Sequence, residues 1–439
     1  MKLEFTLDKL APKAVTMLLA TCLCSSLIFA VICTFIIGTL TDERSEVSSK
    51  TLQVAADYFN NSARLHSRLG AIMERQGDLS QAESHLLRAT AISPYNYNLY
   101  LMLASIEESR GDRLLAEKAL RTALTLAPNK AEVHWNLANL LLRRGELDSS
   151  LEAFRSAAAL KKTLLPGTLS LIWRASNGSL EALHNVTGDD AGARIALAKF
   201  LLNHSQDQEA ADVFSTLDRE SRLASADCAA MLNTFVASNH LQLARSLWTA
   251  TIAASDPDQQ LISNGSFETD AVKGFAQFDW IISRSDYAKI TIARGSAHTG
   301  GRSLRIDFAG RDTTRLDTEV KQLVVVNPRT RYRLEFYAKA EGLVTSEGPR
   351  IVVTAGRSSE WVAWSEPVAA GRSDWQHLVT EFTAPNSADG SAVGLYISIK
   401  RKPQFSYDEP TRGRIYFDDF TLSEQVTVAS GIPPSRATK

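Results

Sequence analysis

A 34-residue spacing of glycines, prolines and small residues constrains the fold of this chain more than any other feature of its sequence. Pro94 and Pro128 lie 34 residues apart, and Gly77, Gly111 and Gly145 follow the same step. The other small residues with this step are Gly70, Ala104 and Ala138, then Ala82 and Ala116, then Ala89, Ala123 and Ala157. A fixed period of this length is typical of stacked, similar supersecondary units. The residue types predict helix pairs, in which a left-handed glycine ends the first helix and proline ends the second.

The 34-residue step and the residues at its fixed positions resemble the tetratricopeptide repeat (TPR). Three repeats match in register, at residues 63–96, 97–130 and 131–164. The resemblance implies that the small side chains of Gly70 and Ala82 let two helices approach closely. Weaker matches extend the predicted TPR-like array to residues 46–254, and they comprise Leu197, Ala198, Ala210 and Phe214, then Leu232, Ala244 and Trp248.

Stacked repeats present a concave surface that binds an extended segment of a partner protein. The first helices of the second and third repeats would supply this surface. Six residues there are expected to contact a protein partner, namely Asn98, Leu101, Ser105, Trp135, Asn139 and Leu142. In the alternative interpretation, Trp135 and Leu142 simply pack between helices.

A stretch without charged residues runs from Ala14 to Leu40. About 20 apolar residues suffice to cross the hydrocarbon core of a membrane. No small-residue cleavage site follows the stretch, so we interpret residues 14–40 as an uncleaved transmembrane anchor in the inner membrane. Lysines precede it and acidic residues follow it. This bias predicts a cytoplasmic tail at residues 1–13 and a single-pass protein whose bulk is periplasmic or otherwise extracytoplasmic.

Helical periodicity ends near residue 255, and alternating runs typical of β-strands follow a short linker at residues 255–260. The clearest runs are Ala288–Ala293, Ser303–Phe308, Arg331–Tyr337, Arg350–Thr354, Val393–Ile399 and Arg414–Phe420. Turn-forming residues separate them at the spacing of a β-sandwich. The predicted fold class is therefore α plus β and multidomain, with a transmembrane helix, a TPR α-solenoid and an antiparallel β-sandwich of the jelly-roll type. Residues 425–439 are predicted to form a disordered tail.

Four motifs occur in order within the sandwich region. They are LISNGSFE at 261–268, HTGGRSL at 298–304, Trp375-Gln376 before a strand that ends at Pro385, and IYFDDFTL at 415–422. In this order they resemble the galactose-binding-like jelly roll of carbohydrate-binding modules in the family 4/9/22 group, over residues 261–424. Gly274 and Phe275 depart from the family's usual Gly-Trp pair after the first motif.

This second resemblance implies that polysaccharide binds through aromatic rings that stack on sugar faces. The candidate rings are Trp280, Trp361, Trp364 and Tyr396, each with core packing as its alternative role. Strand alternation predicts that Trp361 and Trp364 point to opposite faces, so that at most one lines a given surface. Trp375 resembles a core tryptophan of the family.

The same resemblance implies a structural calcium ion where the first and last strands of such modules meet. Glu268 and Asp418 would be its carboxylate ligands, helped by carbonyl oxygens from the turn at residues 301–302. In the alternative interpretation, both carboxylates accept hydrogen bonds from turns.

The net charge of the chain and the motifs that it lacks exclude several classes of function. The formal net charge is -1, so no basic field is available to attract nucleic acid. Cys228 is the single cysteine outside the apolar stretch, which excludes a disulfide framework. The sequence has no phosphate-binding glycine loop, no H-E-x-x-H and no G-x-S-x-G, and we expect no enzymatic activity.

These predictions together describe a membrane-anchored, non-catalytic adaptor with a protein-binding array and a polysaccharide-binding sandwich. The architecture is similar to that of bacterial TPR proteins of exopolysaccharide or cell-envelope assembly. Two alternatives stay open at this point. One is a protein-assembly scaffold whose sandwich is structural or protein-binding, and the other is an accessory subunit of a glycan-processing enzyme.

Overall fold

The computed structural model of the chain describes residues 11–41, 47–252, 260–310, 315–356, 360–402 and 410–425. Helices occupy the chain up to residue 252 and strands begin at residue 281, which confirms the α plus β fold class. Contacts divide the chain into two compact units, residues 1–193 and residues 194–439. Most of the predicted cytoplasmic tail, linker and disordered tail lies outside the described residues.

The helices of the first unit follow the 34-residue period closely. Their bounds are α1 Ala11–Leu40, α2 Ser49–Tyr58, α3 Ala63–Gln76, α4 Leu79–Ile92, α5 Tyr97–Arg110, α6 Arg113–Leu126, α7 Ala131–Arg143, α8 Leu147–Leu160, α9 Leu165–Ala175 and α10 Leu180–Thr187. The helices α3 to α8 form three successive pairs that begin at residues 63, 97 and 131.

The turn and packing residues of these pairs behave as the sequence predicts. Gly77, Gly111 and Gly145 have φ values of 83°, 90° and 83°, in the left-handed region where glycine carries no steric penalty. A Cβ atom on Gly70 would lie 2.9 Å from Cγ of Leu86, so only glycine permits this approach of α3 to α4. The close helix pair buries an apolar core that neighbouring repeats share.

Within α1, residues 17–40 form a helix long and apolar enough to cross a membrane, a property shared by membrane anchors and signal sequences. Ile37 and Leu40, at its end, pack against a buried cluster that includes Leu52, Leu65 and Leu69. The end of the apolar helix is therefore joined to the first repeat by apolar contacts.

The second unit begins with helices and continues into the strands. Its helices are α11 Ala191–Asn203, which starts just before the division, α12 Asp207–Ser215, α13 Arg219–Ala224, α14 Ala226–Ala237 and α15 Leu241–Ile252. Its strands are β1 Ile281–Ile282, β2 Ala288–Arg294, β3 Arg302–Ala309, β4 Val320–Val326, β5 Arg331–Val344, β6 Arg350–Ala355, β7 Trp361–Trp364, β8 Gln376–Thr383, β9 Val393–Lys400 and β10 Arg412–Glu424. All six strands predicted from alternating runs are present.

The strands form two five-stranded antiparallel sheets with the orders β1-β4-β9-β6-β7 and β2-β3-β10-β5-β8, here called sheet A and sheet B. Alternate residues of both sheets point inward and bury one core, which includes Leu304, Phe336, Ile397 and Phe417. The intervening side chains point to the two outer faces of the sandwich.

Helices α14 and α15 pack directly on the sandwich. Nε1 of Trp248 donates a buried hydrogen bond of 2.7 Å to the carbonyl of Phe275, and its ring meets that of Phe278 edge-on at 5.8 Å. The Arg245 guanidinium lies over both rings, at 4.9 Å from Trp248 and 5.4 Å from Phe278. Nε2 of Gln277 donates to Oδ1 of Asn233 at 2.9 Å. These two helices thus belong to the same compact unit as the sandwich.

Candidate functional site

The two exposed tryptophans of sheet A share one face because β7 contains a bulge. Trp364 pairs with Val352 and Ala363 with Val353, but Trp361 pairs with Thr354, so one residue of β7 has no partner in the register. An extra residue in one strand reverses the alternation of side chains beyond it. The rings of Trp361 and Trp364 lie 5.9 Å apart, and the side chains are 39% and 54% exposed. The prediction that they point to opposite faces is therefore wrong.

Tyr396 extends this aromatic surface across the sheet. It pairs with Thr354 of β6 and with Leu323 of β4, which places its side chain on the outer face with Trp361. Two lysines lie over these rings. Nζ of Lys321 is 5.0 Å from the centroid of the Tyr396 ring, and Nζ of Lys402 is 5.6 Å from that of Trp361. The outer face of sheet A thus combines flat aromatic rings with positive charge.

A cavity of about 730 Å³ adjoins this surface, which is within the size range of ligand pockets. Residues of sheet A line part of it, and the rest of the lining comes from residues 356 and 360, from residues 385–387 and 392, and from the turn between α14 and α15. The lining includes Val236, Asn239, Leu241, Leu323, Glu360, Trp361, Asn386, Ser387, Gly394 and Tyr396. Apolar surface with a few polar groups is the usual composition of a ligand site.

Gly394 allows the helical turn to close on the sheet. A Cβ atom at this position would lie 3.0 Å from Cδ1 of Leu241 and 3.2 Å from Cδ1 of Leu323. Leu323 points to the outer face and is nevertheless buried, because α15 covers it. The sequence pattern of these helices predicts only a protein-binding array and gives no sign that Asn239 and Leu241 line a site on the sandwich.

Two further tryptophans lie away from this surface, Trp280 in the alternative role of a core residue and Trp375 in a position other than the predicted one. Trp280 is 3% exposed, and its ring packs between Phe267 and Phe420 with centroids at 5.2 and 4.9 Å. It has no face open to a sugar, which removes it from the candidate set. Trp375 is half-buried and contacts His298 and Tyr416 on the outer face of sheet B, so it is not a core residue.

The predicted calcium ligands are held by backbone N–H groups. Oε1 of Glu268 accepts hydrogen bonds of 2.8 Å from the N–H groups of both Gly301 and Arg302. Oδ2 of the buried Asp418 accepts one of 2.7 Å from the N–H of His298. Burial raises the pKa of Asp418 to about 6.

A cation needs oxygen atoms, whereas the turn at residues 301–302 presents donors to Glu268. No group of three or more acidic, histidine or cysteine side chains suited to a metal ion occurs in the parts of the chain that the structure describes. Glu268 and Asp418 thus accept hydrogen bonds from turns, as the alternative interpretation expects, and the calcium ion stays a prediction.

The predicted groove residues lie on the first helices of the repeats, α5 and α7. Asn98 and Ser105 are exposed, and Leu101 is half-buried against the shared core. The ring of Trp135 packs edge-on against Phe154 at 5.2 Å, and Nδ2 of Asn139 donates to the carbonyl of Trp135. Leu142 is half-buried. Asn98 and Ser105 are thus the members whose polar side chains are best placed to meet a partner.

Hydrogen bonds and ion pairs join successive first helices on this surface, which we call the A-helix face. Oγ of Ser105 donates to Glu74 at 2.8 Å, and the hydroxyl of Tyr97 donates to Glu132 at 2.7 Å. The guanidinium of Arg143 donates two hydrogen bonds to Glu108, at 2.6 and 2.8 Å. Glu74 and Glu108 are one repeat apart, a signal that the sequence analysis did not use. These carboxylates give the A-helix face an acidic component.

The fold and the two surfaces define a class of protein that combines a helical repeat array with a β-sandwich binding module. Residues 101–163 match the family model of the tetratricopeptide repeat, and residues 259–404 match that of the carbohydrate binding domain. Both resemblances inferred from the sequence are thereby confirmed. Domains of these two kinds are typically non-catalytic, and together they are the parts of a protein-binding and sugar-binding adaptor.

Several solved structures resemble parts of the chain. MamA protein is 16% identical over 36% of this chain and 84% of its own, with a TM-score of 0.30. The Stig cyclase Fisc from Fischerella sp. TAU is 16% identical over 37% of this chain and 96% of its own, with a TM-score of 0.28. The first TPR of Spaghetti (RPAP3), bound to an HSP90 peptide, is 17% identical over 26% and 90%, with a TM-score of 0.25. Scores this low support no inference about function. No curated protein matches the sequence.

Proposed function

We propose that this chain is a membrane-anchored, non-catalytic adaptor of bacterial exopolysaccharide or cell-envelope assembly. Sheet A binds polysaccharide, the A-helix face binds a protein, and the apolar helix α1 holds both in the inner membrane. The bulk of the chain lies on the periplasmic side.

The observation that carries the sugar-binding role is the exposed aromatic surface on sheet A. Trp361, Trp364 and Tyr396 lie on one face beside a cavity of about 730 Å³, and a bulge in β7 is needed to place both tryptophans there. A contiguous exposed aromatic surface is typical of a binding site. Flat rings next to hydroxyl and amide groups suit a pyranose, which has both apolar faces and polar edges.

The protein-binding role is supported by the match of residues 101–163 to the TPR family and by the exposed polar residues of the A-helix face. Anchoring is supported by the length of the apolar helix and by its apolar contacts with the first repeat. A signal peptide that is removed would take these contacts away from Leu65 and Leu69.

A glycan array probed with the full-length protein in detergent tests the sugar-binding role. Trp361→Ala and Trp364→Ala should each weaken binding to the recognised glycan about tenfold, since one stacked ring contributes roughly 1.4 kcal/mol. Trp375→Ala is the matched control, because this tryptophan is half-buried on sheet B and should leave binding unchanged. Absence of binding to every glycan by a folded protein would favour the protein-assembly scaffold instead.

The A-helix face is tested by affinity capture from membranes with wild type and the double variant Asn98→Ala/Ser105→Ala. The variant should recover less of any protein that the wild type enriches. Lys118→Ala, on the second helix α6 of the same repeat, is the control. Equal recovery with all three proteins would argue against a role for this face.

Protease access in spheroplasts tests the membrane arrangement. If most of the chain lies outside the cytoplasm, protease added to spheroplasts with an intact inner membrane should digest the region after residue 47. Protection of that region until the membrane is dissolved would place it in the cytoplasm.

A further inference from the structure

Lysine ammonium groups lie over two of the three aromatic rings of the proposed sugar site. Nζ of Lys321 lies 5.0 Å from the ring centroid of Tyr396, and Nζ of Lys402 lies 5.6 Å from that of Trp361. Both rings also line the cavity beside sheet A. Each ammonium group therefore sits where a ligand would stack.

These two lysines differ from the other cations around the same face. Arg350 is paired with Glu347, and Nζ of Lys400 lies 2.8 Å from Oδ1 of Asp317. In the described parts of the chain, no carboxylate lies within ion-pair distance of Lys321 or Lys402. The carboxylate of Asp317, which pairs with Lys400, also interacts electrostatically with Lys402 without forming an ion pair with it, so the charge of Lys402 is balanced in part. The ammonium group of Lys321 faces the ring of Tyr396.

The carboxylate of Glu360 also lines the cavity, and it already interacts with other groups of the chain. The aromatic part of the site nevertheless carries two cations that form no ion pair within the described residues.

The position of the lysines affects neutral and acidic sugars in opposite ways. A neutral sugar that stacks on Tyr396 or Trp361 must displace the ammonium group and lose its attraction to the ring. A sugar that carries a carboxylate can stack on the ring while its charge pairs with the same lysine. An ion pair formed next to a ring, and partly shielded from water, is stronger than one in open solvent.

We propose that the site on sheet A recognises an acidic polysaccharide, one whose sugar units carry carboxylate groups, with Lys321 and Lys402 as the residues that select the charge. This inference rests on the proposed sugar-binding function and specifies the class of its ligand.

The test uses the full-length protein in a non-ionic detergent and three acidic polymers, polygalacturonate, alginate and hyaluronan. The same polymers with their carboxylates reduced to primary alcohols are the neutral counterparts, and a neutral glycan array is probed in parallel. Affinity electrophoresis measures retardation by each polymer. At least one acidic polymer should bind at least tenfold more tightly than its reduced form, and binding should weaken as salt is raised.

Lys321→Gln and Lys402→Gln should each weaken binding to that polymer about two- to fivefold, and the double variant about tenfold. Lys339→Gln is the matched control. Its ammonium group also lies over a ring, that of Tyr416 at 5.9 Å, but on sheet B, so binding should be unchanged. Equal thermal stability of all variants excludes a folding defect.

The possible outcomes separate this inference from the proposed function. Binding to neutral glycans but to none of the acidic polymers, or equal binding to acidic and reduced forms, overturns the charge preference and leaves sugar binding intact. Acidic binding that both lysine variants retain in full also overturns it. Binding to no glycan of either kind overturns the charge preference together with the proposed sugar-binding function.

Discussion

Replacement of Trp248 tests whether helices α14 and α15 are part of the sandwich unit. Its Nε1–H donates the buried 2.7 Å hydrogen bond to Phe275, its ring packs on Phe278, and the Arg245 guanidinium covers it. The contacts with Phe275 and Phe278 join a helix to a segment of the carbohydrate-binding region, whereas Arg245 belongs to the same helix as Trp248.

Two substitutions separate the hydrogen bond from the packing. Trp248→Phe keeps an aromatic ring but leaves the buried carbonyl of Phe275 without its donor, which costs about 1–3 kcal/mol. Trp248→Ala also removes the ring and leaves a cavity, so the loss should reach about 3–5 kcal/mol. Trp364→Ala is the control, since this side chain is 54% exposed and its loss should cost less than about 1 kcal/mol.

The assay is urea unfolding of the segment 194–425, followed by circular dichroism, with the free energy of unfolding taken by linear extrapolation. The shorter segment 260–425 exposes Phe275 and Phe278 and should be less stable or aggregate. If Trp248→Phe costs less than about 0.5 kcal/mol, the hydrogen bond does not hold the helix to the sandwich. Equal stability of the two segments would show that the helices are a separate folding unit.

Two further predictions concern titration and calcium. Nδ1 of His66 and Nδ1 of His85 lie 3.2 Å apart in the first repeat, and burial lowers the pKa of both below 6.5. The folded state therefore favours the neutral rings, so the stability that they contribute is complete above pH 6.5 and is lost as the pH falls through their lowered pKa values. Melting curves between pH 5 and 8 should show a smaller acid-induced drop for His85→Gln, and an unchanged drop would contradict this assignment. If Glu268 and Asp418 only accept hydrogen bonds from turns, the sandwich should melt at the same temperature with excess calcium and with a chelator. A calcium-dependent increase in the melting temperature would support the structural ion.

The three repeats at residues 63–164 could be predicted helix by helix, because their determinants are local. Gly77 adopts a left-handed conformation, and the absence of a side chain on Gly70 leaves room for Leu86. Each requirement involves residues within one repeat, so the sequence period carries it directly. The strands of the sandwich were also predictable from alternation, since a sheet with one buried face imposes a period of two.

The binding surface depended on contacts that the sequence does not display. Alternation alone placed Trp361 and Trp364 on opposite faces, and the bulge in β7 reversed this result. Trp280 is buried in the core and Trp375 lies half-buried on the outer face of sheet B, because contacts with distant residues decide how far each ring is buried.

The sequence by itself determined the classes of domain in this protein, their order and the residues that turn the chain. These follow from local backbone preferences and from the periods of two and of 34 residues. Only the tertiary structure decided that Leu241 and Asn239 form a wall beside Tyr396, and that lysines lie on the aromatic rings. The physical reason is that these contacts join segments 41 to 157 residues apart, where packing between surfaces rather than local conformation selects the neighbour.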